Sequence, residues 1–543
     1  MKKIFIYSLD EDNIMDFYNE VIDLILLNKI QSKEDLHKTK VKLCQKYKLD
    51  KVPADSEILA RLPDDFTDEE KEMSISLLRK KSMRTISGVA IVAVMTSPEE
   101  CPHGLCIQCP GGPNINTPQS YTGREPAALR AFLNDYDPYL QTQNRIKQLN
   151  VIGHSTNKID MIIMGGTFTA RSPYYQEWFV KRCFDALNES VSKNLDDAKI
   201  KNEKAAHRCI GLTIETRPDW FRLNHADQSL YFGVTRVELG VQTVYDSLLY
   251  NINRGHNVVD SILATRIAKD SGFKVCYHIM PGLPGSDFQM DVDSFLTIFE
   301  NSDFKPDMIK IYPTLTIEGT ELYNMWKKGD YKPLSTTMAT KLVAELKTYV
   351  PEWVRIQRIQ RDVPSQLINA GVDKSNLRQL VEKELAKHGK QCRCIRCREI
   401  GHKSLRDEII IDDDDIGINS TFYQASESDE VFISLVNEKY DALIGYLRLR
   451  NITKSHRSEL NRNPCMIIRE LKIVGRELEF SKRSKKGLQH KGYGKELVDE
   501  AIRICSDEFE KKHIFVLSGV GVKQYYRKLG FKNDGVYLSK TII

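Results

Sequence analysis

The stretch Cys101-Pro-His-Gly-Leu-Cys106-Ile-Gln-Cys109, running into Pro110-Gly111-Gly112, decides how the rest of this chain reads. Three thiolates on one short loop can ligate three corners of a [4Fe–4S] cube and leave the fourth iron open. The alternative is a three-ligand zinc knuckle completed from elsewhere, with His103 a candidate. The loop sits in a regular frame. From about residue 84, apolar strands at 86–95, 159–164, 209–214, 236–239, 274–280 and 308–311 alternate with amphipathic helical patterns. Such repeated βα units predict an α/β fold with a parallel sheet closed wholly or partly into a barrel. The loops after the strands line the C-terminal mouth of such a barrel. The Cys loop, Gly165-Gly166-Thr167, Glu215-Thr216-Arg217-Pro218, Gly240-Val241-Gln242-Thr243, Pro281-Gly282-Leu283-Pro284-Gly285 and Tyr312-Pro313-Thr314 are therefore expected to face one cavity.

An open iron is what S-adenosylmethionine (SAM) needs in order to chelate a cluster and be cleaved reductively to a 5′-deoxyadenosyl radical. Gly165, Gly166 and Thr167 suit the amino group of SAM, because glycines let a ligand approach the backbone and exposed carbonyls accept from its ammonium. A tight βα turn is the plain alternative. Glu215, Arg217 and Gln242 occupy strand ends from which they can reach the ribose or the carboxylate, and each can equally be structural.

At 543 residues the chain is long enough for more than one domain. Its net charge of +5 is small for that length, so the clustering of charge says more than the total. Residues 29–51 carry eight lysines against three acids, and Arg79-Lys80-Lys81-Ser82-Met83-Arg84 adds a second basic group. Such clusters attract phosphate backbones by counterion release. Lys38, Lys40, Lys42, Lys46, Lys80, Lys81 and Arg84 are the candidate phosphate contacts, with a solvated helix face as the bland reading. Twelve cysteines, concentrated at 101–109 and 392–397, suit metal ligation in a reducing compartment better than a disulfide framework. The apolar start is too short for a signal peptide and no apolar run approaches a membrane span, so a soluble, cytoplasmic protein is expected.

Composition divides the chain into a helical basic region at 1–83, the barrel at 84–370, a linker at 371–415 and a strand-rich domain at 416–543. Cys392, Cys394 and Cys397 in the linker read as a zinc clip. His402, His456 and Cys465 are candidates for its fourth ligand, and a free-thiol or redox role is the alternative. The last domain has strands at 431–436, 443–450 and 466–474, then Gln489-His490-Lys491-Gly492-Tyr493-Gly494 leading into a helix over 495–506. Q-x-x-G-x-G at a helix start is the pyrophosphate loop of GNAT-type acetyltransferases, where bared N–H groups and the helix dipole favour the diphosphate of coenzyme A. A tyrosine near the chain end can protonate the departing thiolate, and Tyr525 and Tyr526 are the candidates, with one of them expected to pack against the sheet.

A radical-SAM barrel followed by a GNAT domain resembles the Elongator catalytic-subunit family over nearly the whole chain. The matching stretches include Cys109-Pro-Gly-Gly-Pro113, Gln119-Ser-Tyr-Thr-Gly123, Met164-Gly-Gly-Thr-Phe168, Ile214-Glu-Thr-Arg-Pro218, Asn253-Arg-Gly-His256, Gln489-His490 and Ser518-Gly-Val-Gly521. The spacing C-x4-C-x2-C departs from the usual radical-SAM C-x3-C-x2-C and looks like the short bacterial and archaeal form of this family. The resemblance implies that Cys101, Cys106 and Cys109 hold the [4Fe–4S] cluster. It implies that Lys158 contacts acetyl-CoA, that Glu470, Leu471, Lys472 and Ile473 hold the pantetheine, and that Gln489, Lys491, Gly492, Tyr493, Gly494, Lys495 and Glu496 form the pyrophosphate turn. Tyr526 then matches the tyrosine facing the thioester. Lys472 departs from the histidine that relatives generally carry.

The implied reaction starts with reductive cleavage of SAM. The adenosyl radical takes hydrogen from the methyl of acetyl-CoA, the carbon radical adds to C5 of the wobble uridine in a tRNA anticodon, and thioester hydrolysis leaves 5-carboxymethyluridine. An anticodon loop is single-stranded, so its uridine can be splayed into the barrel mouth. The implied partners are tRNA, acetyl-CoA and either accessory Elongator-type subunits or a second copy. The competing expectations are a protein lysine acetyltransferase with a structural iron–sulfur barrel, and a tRNA-binding scaffold with vestigial sites.

Overall fold

The structure is a computed structural model and describes residues 4–63, 65–79, 88–407, 415–474 and 492–542. Two compact units are present, one of residues 1–90 with 143–157 and the other of residues 91–142 with 158–543.

In the first unit, helices α1 (Ile4–Leu26), α2 (Lys33–Lys46), α3 (Asp55–Leu59) and α4 (Asp68–Leu78) enclose a core that includes Phe17, Val21, Ile25, Leu36, Ile58 and Leu78. The helix starts are set by side chains that satisfy otherwise unpaired N–H groups. Ser32 accepts from the Asp35 N–H at 3.1 Å, and Thr67 and Glu70 form a reciprocal capping box at the start of α4. Residues 143–157 belong to the same unit, and the Arg79 Nε donates to the Gly153 carbonyl at 2.7 Å.

The second unit holds two sheets. The first contains seven strands in sequence order: β1 (Ala90–Met95), β2 (Lys158–Met164), β3 (Arg208–Thr216), β4 (Arg236–Gln242), β5 (Lys274–Ile279), β6 (Met308–Ile311) and β7 (Arg355–Ile359). β2 to β7 pair in parallel, each strand with the next, and the order ends at β1 and β7, so the barrel is an open half-barrel. The sequence indicated six of these strands. The seventh, Arg355-Ile-Gln-Arg-Ile359, lies at the open edge and has three polar residues among five, so it lacks the apolar run of a buried parallel strand.

The second sheet is mixed. It comprises β8 (Ile416–Ala425), β9 (Ser428–Asn437), β10 (Ala442–Ile452), β11 (Cys465–Ile473), β12 (His513–Val516), β13 (Lys532–Asp534) and β14 (Tyr537–Thr541), in the order β13-β14-β12-β11-β10-β9-β8. Only β11 and β12 pair in parallel; the other neighbours are antiparallel. Helix Tyr493–Arg503 packs Leu497, Val498 and Ala501 into its core.

The two sheets are joined by buried charge. Asp307, just before β6, and Lys269, on helix Val258–Asp270, meet Arg448 and Arg450 of β10, Arg469 of β11 and Glu430 of β9. Asp270 and Glu470 complete the lattice through Arg450 and Arg448. The four cations face four carboxylates, each cation at most 1% exposed, which is the balance that burial of charge requires. The cysteine linker is held to both sheets: the Ile395 N–H donates to the Val354 carbonyl, Glu399 forms an ion pair with Arg355, and Glu399 bridges to Leu443 of β10. No helix among the described residues is long and apolar enough to cross a membrane.

Candidate functional site

The Cys loop follows β1 and is pinned to the half-barrel by main-chain bonds: Ile107 donates to Ile252 at 3.2 Å and accepts from Leu322 at 2.9 Å. Each sulfur has a polar side chain beside it. Thr167 Oγ1 lies 3.7 Å from Cys101 Sγ, His103 Nε2 3.0 Å and Arg254 Nη1 3.6 Å from Cys106 Sγ, and Ser120 Oγ 3.3 Å from Cys109 Sγ. Burial raises the Cys101 thiol, and burial with the neighbouring Cys106 pushes Cys109 up to about 11, so deprotonation must accompany any metal binding.

Four zinc–sulfur bonds of 2.3 Å in a tetrahedron put sulfurs about 3.8 Å apart. Among the described residues, the cysteine group whose sulfurs all lie within 4.8 Å is Cys392, Cys394 and Cys397, and not the triplet at 101–109. The wider triplet suits a cluster better than a single ion. His103 turns to Cys106 in an arrangement that does not bring three ligand atoms within 4.8 Å.

The Gly165-Gly166 turn lies against this loop. Both residues have positive φ, at 121° and 95°; a Cβ on Gly165 would stand 2.2 Å from Thr96 Oγ1, and one on Gly166 3.8 Å from Cys101 Sγ. A side chain at either position would strain the backbone, and at Gly165 it would also collide. Arg217 is clamped by Asp219, at 2.9 and 2.6 Å, and by the Gly255 carbonyl at 3.0 Å, yet its Nη1 is buried with no hydrogen-bond partner. Gln242 Oε1 is in the same condition. Buried polar atoms are almost always satisfied, so these orphaned groups around the cysteines fit a polar ligand. Burial, with Arg254 and Arg217 nearby, pushes the His256 imidazole down to about 2, so it is neutral there.

Glu215 is already engaged, accepting from the Tyr121 hydroxyl at 2.9 Å and from Lys310 at 3.3 Å. It heads a charged column inside the half-barrel: Lys310 pairs with Glu238, Glu238 with His278 at 2.8 Å, and Arg236 with Asp160 at 3.2 Å. Burial alone would raise the Glu238 carboxyl, but Lys310, the His278 hydrogen bond and Arg236 hold it well below the usual range. Glu238, Cys276 and His278 have the spacing of a metal site. Ion pairing already accounts for this group, because a metal cation would meet Lys310 and Arg236 at the same carboxylate.

On the mixed sheet, the end of β11 carrying Glu470, Leu471, Lys472 and Ile473 is half-buried. Helix Tyr493–Arg503 opens beside it with Gly492 at φ 102°, and the turn also presents Tyr493, Gly494, Lys495 and Glu496. A Cβ on Gly494 would lie 2.7 Å from the Tyr525 hydroxyl and 3.9 Å from Ile473 Cγ1. The structure thus brings Ile473, Gly494 and Tyr525 together. Tyr526 is instead buried in the core with Phe531. Glu470 accepts from Arg448 at 2.8 Å and from the Tyr446 hydroxyl at 3.2 Å. Lys158 begins β2, beside Arg208 of β3. Gln489 and Lys491 lie outside the described residues.

In the linker, Cys392, Cys394 and Cys397 can supply three ligands to one ion. Hydrogen bonds from Cys392 and Cys397 favour the thiolate of Cys394. None of the three expected fourth ligands joins them. His402 turns to Glu399 at 3.5 Å, His456 to Asp227 at 2.8 Å, and Cys465 donates to the Leu460 carbonyl at 3.3 Å.

The basic region also departs from expectation at one lysine. Lys40 is buried and donates to Asp55 at 2.7 Å, so it is an internal structural cation and not a phosphate contact. Lys38 pairs with Glu34 at 2.7 Å and Lys46 with Glu20 at 2.5 Å, both on the surface; Lys42 is exposed. Lys80, Lys81 and Arg84 lie outside the described residues.

Comparison with known proteins agrees with this architecture. Residues 99–295 match the Radical SAM superfamily, 306–387 the Radical_SAM C-terminal domain and 14–86 the ELP3 N-terminal domain. The chain is 53% identical to the tRNA uridine(34) acetyltransferase of Methanocaldococcus jannaschii over 494 residues, covering 90% of each chain. It is 40% identical to Elongator complex protein 3 of Drosophila melanogaster over 528 residues, 95% of this chain and 94% of that one. Its fold matches the solved archaeal Methanocaldococcus infernus Elp3 lacking residues 1–46 with a TM-score of 0.75 and 48% identity, over 84% of this chain and all of that one.

Proposed function

We propose, from the premise that this chain belongs to the family of Elongator complex protein 3 and the archaeal tRNA uridine(34) acetyltransferases, that it builds a carboxymethyl group on C5 of the wobble uridine of tRNA from acetyl-CoA. One observation carries the reading: a widely spaced cysteine triplet, ringed by orphaned polar groups, lies at the mouth of a half-barrel locked to a mixed sheet with a glycine turn at a helix start. When bound, a [4Fe–4S] cluster and SAM supply the radical that takes hydrogen from the acetyl methyl.

The protein's part is to hold and orient. Cys101, Cys106 and Cys109 ligate three irons, while the Gly165-Gly166-Thr167 backbone, Arg217 and Gln242 receive the polar groups of SAM. Gly492 to Glu496, with Gln489 and Lys491, cradle the diphosphate of acetyl-CoA, and Glu470 to Ile473 run beside its pantetheine, with Lys158 a further contact. Tyr525 and Tyr526 are the pair from which the proton donor to the departing thiolate is drawn. Tyr525 has the stronger support, since its hydroxyl adjoins the Gly494 turn. Cys392, Cys394 and Cys397 hold a structural zinc, and the basic face of α2 with Lys80, Lys81 and Arg84 steers tRNA. Accessory subunits or a second copy of the chain complete the assembly.

Anaerobic turnover with acetyl-CoA labelled at the methyl carbon tests the reading. Label on uridine C5, with formation of 5′-deoxyadenosine, is the expected result. Efficient lysine acetylation with no label in tRNA would overturn it in favour of a protein acetyltransferase.

A further inference from the structure

We propose that Arg254 raises the reduction potential of the iron–sulfur cluster by placing a charged hydrogen-bond donor on the sulfur of Cys106, with Ser120 and Thr167 donating to Cys109 and Cys101. The inference rests on the proposed reading of the triplet as cluster ligands. Arg254 reaches this position from far along the chain, out of the loop before helix Val258–Asp270. It is only 9% exposed. Its Nη2 is fixed on the Gly240 carbonyl at 3.0 Å, which leaves Nη1 directed at Cys106 Sγ at 3.6 Å. A guanidinium cannot accept, so it can only donate to the sulfur.

The hydroxyls of Ser120 and Thr167, 3.3 and 3.7 Å from their sulfurs, are donors or acceptors toward a thiol. Toward an iron-bound thiolate, which has no proton, they must donate. All three sulfurs are then hydrogen-bonded, one of them by a buried cation.

Reduction adds one electron from an external one-electron reductant and takes [4Fe–4S]2+ to [4Fe–4S]+. With three thiolates the net charge of the ligated cluster falls from −1 to −2. A fixed positive charge at a buried sulfur stabilises the more negative state more strongly, and hydrogen bonds to the sulfurs act in the same direction. The site therefore eases entry of the electron.

The test is an anaerobic redox titration, followed by electron paramagnetic resonance, of reconstituted full-length wild type, Arg254→Gln, Arg254→Lys and Ser120→Ala. Arg254→Gln keeps a donor but loses the charge. It is expected to lower the equilibrium constant for reduction about tenfold, a negative shift of about 59 mV for one electron. Arg254→Lys should recover most of the shift, and Ser120→Ala should move the potential the same way by less. A wild-type potential in Arg254→Gln, at full iron content, would overturn the proposal whatever Ser120→Ala shows. If Arg254→Gln cannot hold iron, an unshifted Ser120→Ala overturns it alone. A wild type that shows no cluster signal at all overturns the reading of the triplet itself, and the proposal with it.

Discussion

Arg469 of the mixed sheet grips Asp307 of the half-barrel with two parallel hydrogen bonds, Nη1 to Oδ2 at 2.8 Å and Nη2 to Oδ1 at 2.6 Å, both groups fully buried. Lys269 and Arg448 lean on the same carboxylate. Asp307→Asn strips the anion from three buried cations. Breaking a buried pair costs about 3–5 kcal/mol, so the urea midpoint of the full-length protein should fall markedly. An unchanged midpoint would show that the lattice does not hold the sheets together.

The same lattice predicts an acid limit. Burial would raise the Glu430 carboxyl, but Arg469, Lys269 and Arg450 bring it down to about 2. An unfolded glutamate titrates near 4.3. Because the folded value is the lower one, the stabilisation is complete above the unfolded value and disappears as pH falls from about 4 toward 2. Melting temperatures measured from pH 5 downward should drop less steeply in Glu430→Gln than in wild type. Parallel slopes would count against this.

Gly165→Ala puts a methyl 2.2 Å from Thr96 Oγ1 at a φ that L-residues avoid. The turn must shift away from the Cys loop. SAM affinity, measured by anaerobic equilibrium dialysis, should fall at least tenfold while acetyl-CoA binding is kept. Equal loss of both ligands would point to general unfolding and not to a local cofactor turn.

Gly494→Ala should weaken acetyl-CoA binding about tenfold, because its methyl would meet the Tyr525 hydroxyl at 2.7 Å. Removing that hydroxyl in Gly494→Ala/Tyr525→Phe leaves ring carbon as the nearest neighbour, at 3.6 Å, and should restore part of the affinity. Calorimetric titration of the four proteins in this cycle decides it. Strict additivity would mean that the two residues do not meet.

Lysines two positions apart on α2 should behave in opposite ways. Replacing Lys38, Lys42 and Lys46 by Gln is expected to weaken tRNA binding and reduce the log–log salt slope by about 2 to 3. Lys40→Met should lower stability by removing the buried partner of Asp55, which keeps only the more exposed Lys33, with little effect on that slope. A salt slope that ignores the surface lysines would remove α2 from the tRNA path.

Much of this was legible in the chain, because strand periodicity and the loops after each strand follow local rules. Apolar runs at β2 to β6 read directly as strands. What the chain does not display depends on pairing across the sheet. Glu238, His278 and Lys310, which lie on the three strands after the one that carries Glu215, have no sequence signature, since each partner lies on another strand. Arg254 lies 148 residues from the Cys106 sulfur that it touches. A lysine run likewise does not reveal which member turns inward; only the neighbouring Asp55 on α3 selects Lys40. The linker cysteines show the converse limit, because three cysteines in six residues declare themselves as a candidate metal site while the sequence does not reveal which residue folding could add to them.

The lattice around Asp307 and Glu430 also says where motion has to come from. With four cations sealed among carboxylates of both sheets, separating the half-barrel from the mixed sheet would strand buried charge, so the two are expected to move as one frame. In the proposed reaction, an acyl group anchored at one sheet and consumed at the mouth of the other must be carried by its own tether. The frame then acts as a ruler. Thioesters on arms of the wrong length are turned away by reach alone, without any residue that inspects the acyl group.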